Sequence, residues 1–146
     1  MKNTVVAGIG IIGSFISTLF GGWDTGLVTL CIAMAVDYIT GWIVAGVFQK
    51  SEKSENGGLS SSAGFKGLAK KGVILLFVLM AYRLDLTVGS TYIRDAVIIA
   101  FIANEVISIT ENAGLMGIPI PAVIIKAIDI LKKREDNGGE DGVQKD

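Results

Sequence analysis

Histidine is absent from the 146 residues, and cysteine occurs once, at Cys31. Without imidazole there is no His-based acid–base or nucleophilic chemistry, and nearly every zinc site loses its ligands. A single thiol excludes an internal disulfide framework; inside an apolar run, Cys31 reads as a small hydrophobe. Excess basic charge is missing too. The net charge is −1 and no basic face is interleaved with aromatics, which excludes nucleic acid as a partner. No Gly-Lys-Ser/Thr phosphate loop occurs. Gly8-Ile-Gly10-Ile-Ile-Gly13 fits the dinucleotide spacing loosely, but it lies in an apolar block with no strand before it and reads as helix packing. No enzyme activity, cofactor or metal is expected.

What the chain has is long apolar runs. Hydrophobic residues make up 51%, and the 19 glycines raise the apolar share to roughly 64%, against ~45–50% in soluble domains. These residues are bunched in blocks rather than spread at helix or strand periodicity. Four blocks read as membrane spans, at about 4–20, 25–48, 68–86 and 96–112. The third reaches spanning length only if Lys70 and Lys71 snorkel to the membrane surface at one end. The first has no clear cleavage site before Gly21-Gly22, so it reads as a span rather than a signal peptide. The expected class is an all-α integral membrane protein, with two helical hairpins in one membrane domain over 1–134. A polar Ser/Gly-rich linker separates the hairpins. A short amphipathic helix over 121–134 is expected on the membrane surface, carrying Lys126, Lys132, Lys133 and Arg134. An acidic tail over 135–146 reads as disordered. Lys and Arg gather in the linker and near the C-terminus, which puts both termini and the linker in the cytoplasm.

Polar residues inside these runs carry the functional reading. Asp37 sits near the middle of the second run, where a carboxylate costs roughly 2.5–3.5 kcal/mol unless it has a partner, a proton or a watery lumen. Ala33, Asp37, Gly41 and Ala45 recur every four residues, with Thr40 beside them; Gly13, Ser17 and Gly21 do the same in the first run. Such faces allow close helix packing, either inside one hairpin or between subunits. In the fourth run Asn104, Glu105, Ser108, Glu111 and Asn112 fall within about a third of the helix circumference. That stripe faces a lumen, other helices or the headgroup boundary. Arg83 and Arg94 stand at the far end as candidate partners, and lysines at the cytoplasmic edge could reach Glu111.

Asp37-Tyr-Ile-Thr-Gly41, Ser61-Ser-Ala-Gly64-Phe-Lys-Gly67-Leu-Ala-Lys70-Lys71, Asn104-Glu105-Val-Ile-Ser108-Ile-Thr-Glu111-Asn112 and Gly117-Ile-Pro119-Ile-Pro121 follow one another in this order. Together they resemble the phage holins of the toxin-secretion/phage-lysis type, known from phages of Gram-positive bacteria and from clostridial toxin loci. The resemblance covers about Trp23 to Lys133. It implies a protein that homo-oligomerises in the bacterial cytoplasmic membrane and opens lesions. An endolysin then reaches the wall, without necessary direct contact. Asp37 and the Asn104–Asn112 stripe would line or gate the lesion. The alternatives are a small transporter using the intramembrane acids as proton or cation sites, and an antiholin that delays lysis.

Overall fold

The computed structural model describes residues 1–140, with side chains as far as residue 137. Five helices follow in order: α1 (Lys2–Leu19), α2 (Thr25–Ile43), α3 (Ser61–Val88), α4 (Ile93–Leu115) and α5 (Ala122–Glu140). A π-helical turn, Val44–Phe48, prolongs α2 and ends at Gln49, whose φ of 51° is left-handed. No strand occurs among the described residues. By length and composition, Lys2–Leu19 and Thr25–Phe48 are each apolar enough to cross a membrane.

Local signals set the boundaries. Asp24 caps α2 by accepting from the Leu27 backbone N–H, and Ser60 caps α3 by accepting from Ala63. Gly89, at φ 73°, closes α3. The linker is therefore shorter than its Ser/Gly composition predicts, because 61–64 already belong to α3. The expected disordered tail is corrected in part. Residues 135–140 continue α5, and 141–146 lie outside the described residues.

α4 is the centre of the bundle, packed against α2, α3 and α5, while α2 and α3 touch more lightly. Its core joins Leu27, Leu30 and Met34 of α2 to Val78 of α3 and Ile98 and Ile102 of α4. The distribution around that core is inverted relative to a soluble domain. Asp37, Asp85, Arg94, Glu105 and Asn112 are buried, whereas Ile32, Ile39, Leu76, Phe77 and Met80 are exposed. Charges inside and large apolar residues outside suit a bundle solvated by lipid.

Two further placements differ from expectation. α1 buries none of its residues, and a Cβ on Gly13 would meet nothing within 4 Å. Gly13 therefore packs against no helix of this chain. Gly21 is a turn residue beyond the end of α1, at φ 78° with the Tyr82 ring against it. α5 turns back against α4 after Pro121, and Leu131 packs on the core cluster. Lys126, Lys132, Lys133 and Arg134 stay exposed on its far side.

Candidate functional site

Three helices each contribute one charge to a single buried cluster. Asp37 of α2 and Glu105 of α4 each stand twelve residues past the first residue of their helix. At 1.5 Å per residue both lie ~18 Å along their helices, at matching positions. Lys71 of α3 reaches between them. Its Nζ donates to Asp37 Oδ2 at 2.7 Å and to Glu105 Oε2 at 2.5 Å. The lysine side chain is 13% exposed and each acid 8%. At this burial the charges need one another. Desolvation costs several kcal/mol per ion, and only close opposite charge and hydrogen bonds offset it.

Asn112 completes the cluster. Its Nδ2 donates to Asp37 Oδ1 (3.2 Å), to the Asp37 carbonyl (3.3 Å) and to Thr40 Oγ1 (2.9 Å). The amide, two helical turns beyond Glu105 on α4, thus ties α4 to α2 at Asp37 and Thr40. Gly41 lies beside it; a Cβ there would sit 3.9 Å from Asn112 Nδ2. Tyr38 donates to the Gly64 carbonyl at 3.3 Å, and glycines at 64 and 67 let α3 approach the Trp42 and Tyr38 rings. Among the described residues no buried side-chain nitrogen or oxygen lacks a partner.

A second cluster holds the opposite end of the bundle. Arg94 Nη1 donates to Asp24 Oδ2 at 2.6 Å, Nε to the Phe20 carbonyl at 2.6 Å and Nη2 to the Gly22 carbonyl at 3.2 Å. One planar guanidinium thereby fixes the α1–α2 turn onto α4. The Arg94 hydrogen bond holds the Asp24 carboxyl below the usual carboxylate range, assisted by its capping bond from Leu27. Asp85 of α3 accepts from the backbone N–H groups of Ile93 and Arg94 and from Ser90 Oγ. It caps α4 from a neighbouring helix, since Tyr92 supplies no side-chain cap.

The expected site residues therefore divide. Asp37, Thr40, Gly41, Glu105, Ser108 and Asn112 converge where α2 and α4 meet. Asn104 and Glu111 lie on the other edge of the α4 stripe and are exposed. Ala33 and Ala45 are buried. Lys71 is the correction: it does not snorkel to the surface but neutralises two acids, whereas Lys70 stays exposed. The arginines proposed as partners for these acids bind elsewhere or, in Arg83, point outward. Arg94, Asp24 and Asp85 form a brace that sequence reasoning missed. Its one readable signal was an acid directly before the second apolar run, a helix-cap position.

Residues 14–133 match the model of the bacteriophage holin family. The chain belongs to that family. A protein described as "Probable holin" from Bacillus phage phi105 is 31% identical over 106 residues, 72% of this chain and 73% of that protein. A 14.9 kDa Clostridium perfringens protein in the nagH 3′ region is 36% identical over 135 residues, 91% of this chain and 96% of its own. A Listeria monocytogenes protein is 39% identical over 140 residues, covering 94% of this chain and 92% of its own. No solved structure matches. The family match includes both polar clusters of this holin-family chain and leaves out most of α1.

Proposed function

We propose that this chain is a holin: it inserts in the bacterial cytoplasmic membrane, homo-oligomerises and opens lesions through which an endolysin leaves. Membership of the holin family over residues 14–133 carries the reading. The buried Asp37–Lys71–Glu105 triad supports it physically, because such charges tolerate lipid only while they face one another. Helices α1 to α4 cross the bilayer in this reading. α3 and α4 carry more charge than an apolar span should. Yet four of those charges, Lys71, Asp85, Arg94 and Glu105, turn inward and are partnered. Both termini and the linker lie in the cytoplasm, following the lysine and arginine bias.

α5 cannot keep Lys126, Lys132, Lys133 and Arg134 beside acyl chains, so on insertion it leaves α4 for the cytoplasmic surface. Opening then proceeds by exchange. Lys71, Asp37 and Glu105 give up their contacts within one chain and are solvated by a shared aqueous lumen between chains. Asp37, Thr40, Gly41, Ser108 and Asn112 border that lumen, and Asn104 and Glu111 already stand on the open edge.

Inducible expression with and without an endolysin tests the proposal. The expected course is a silent interval, then abrupt depolarisation, with lysis only when the endolysin is present. Graded ion flux without lysis would point to the transporter reading, and delayed lysis on co-expression with a holin to the antiholin. If Asp37→Asn and Glu105→Gln both lyse cells on the wild-type schedule, the lumen assignment fails.

A further inference from the structure

Beside the charge triad, α2, the first turns of α3 and the linker enclose a half-open cleft of about 440 Å³. Asp37, Glu105 and Lys71 lie at its floor and satisfy one another. At its mouth stand Lys53, Lys66 and Lys70. None of the three has a carboxylate within 4.0 Å among the described residues, where every ion pair involves Lys71 or Arg94. The cleft thus carries four cations against two acids, a surplus of two positive charges.

A second hollow, shallow and open, about 330 Å³ and almost wholly apolar, adjoins it on the outer face of α2. Tyr38 and Trp42 line both hollows; Ile39, Ile43 and Val47 complete the apolar one. A cationic chamber joined through two aromatic rings to an apolar groove has the polarity of an amphiphile. Aromatic rings of this kind favour the boundary between headgroups and acyl chains, and basic pockets between membrane helices take anionic lipid headgroups.

We infer that this pair of hollows binds one anionic phospholipid, its phosphate at Lys53, Lys66 and Lys70 and an acyl chain along Ile39, Trp42 and Ile43. The bound lipid bridges α2, α3 and the linker beside the triad, so it favours the closed bundle. The inference rests on membrane insertion, but not on lesion formation.

The test uses full-length Trp23→Phe protein, in which Trp42 is the one remaining tryptophan. It is reconstituted in phosphatidylcholine vesicles doped with brominated phosphatidylglycerol or, in parallel, with brominated phosphatidylcholine. Trp42 is expected to be quenched more strongly by the anionic lipid, and Lys66→Gln/Lys70→Gln should abolish that preference. The surface pair Lys126→Gln/Lys132→Gln should leave it intact. Equal quenching by both lipids overturns the inference. So does a preference lost as readily in the surface pair, which would mark diffuse charge, or one removed by inorganic phosphate, which would mark a free-anion site. Should Lys66→Gln/Lys70→Gln lose helical circular dichroism, Lys53→Gln in the linker must weaken the preference; an unchanged preference there overturns it too. A protein that shows the preference yet never lyses cells would sink the lytic reading alone.

Discussion

Asp37 and Glu105 stand on different helices yet share one ammonium group, with Lys71 Nζ 2.7 Å from the first and 2.5 Å from the second. Charge counting on this triad ranks its variants. Lys71→Met leaves two buried acids without a cation and should cost about 3–5 kcal/mol, the usual penalty for stranding a buried ion. Asp37→Asn removes the surplus negative charge while Glu105 still neutralises the lysine, so it should cost far less. Thermal unfolding in detergent should therefore place Asp37→Asn well above Lys71→Met. The reverse order would mean the triad is not the bundle's principal polar tie.

Arg94→Lys keeps the charge but loses the fork that reaches Phe20, Gly22 and Asp24 at once. A lysine is a point donor and cannot satisfy three directions. The expected loss is about 1–3 kcal/mol, concentrated at the α1–α2 turn. Limited proteolysis at that turn should accelerate while α3 stays protected. Uniform acceleration along the chain would contradict a local brace.

Acid should loosen the same turn. The Asp24 pKa is depressed, first of all by the Arg94 hydrogen bond. A depressed carboxyl contributes stability that is present above its unfolded value and is lost as pH falls through the folded one. Protection of the turn should therefore hold at neutral pH and fade below the ordinary carboxylate range. Asp24→Asn should flatten that dependence, as read by hydrogen exchange of the turn amides against pH.

Gly21→Ala faces two separate penalties. The residue has φ 78°, and an added Cβ would lie 2.8 Å from the Tyr82 ring. Together these should cost about 1–3 kcal/mol. In a Tyr82→Ala background the ring clash disappears and only the backbone term survives, so the added cost of Gly21→Ala should shrink without vanishing. Equal costs in both backgrounds would show that the ring yields freely.

Because α5 leaves α4 on insertion in this reading, Leu131→Ala removes a contact that the inserted chain no longer makes. The timing of depolarisation should stay unchanged, and an earlier onset would mean that α5 still holds α4 in the membrane.

The long apolar runs made α1 and α2 legible, since eighteen or more mostly apolar residues are long enough for a helix to cross a membrane. α3 was harder. Its first turn is Ser61-Ser-Ala-Gly, a composition shared with linkers, and the Ser60 cap shows only as a hydrogen bond. That boundary explains the misplaced lysine. A helix beginning at Leu68 leaves Lys71 in the first turn, but one beginning at Ser61 sets it ten residues in, where it faces the acids of α2 and α4. By periodicity alone the α4 stripe is one face. It splits because Asn112 and Glu105 occupy one edge of the arc and Glu111 and Asn104 the other, and only the first edge meets α2. Periodicity gives the width of an arc, but not where a neighbouring helix cuts it.

The stoichiometry of the triad has a mechanical meaning. Two acids on two helices depend on a single cation carried by a third. Withdrawing α3 therefore takes the cation from both acids in the same event, and leaves Asp37 only the Asn112 amide. A structure tied in this way resists until it yields as a whole. Its response to load is a threshold rather than a slope.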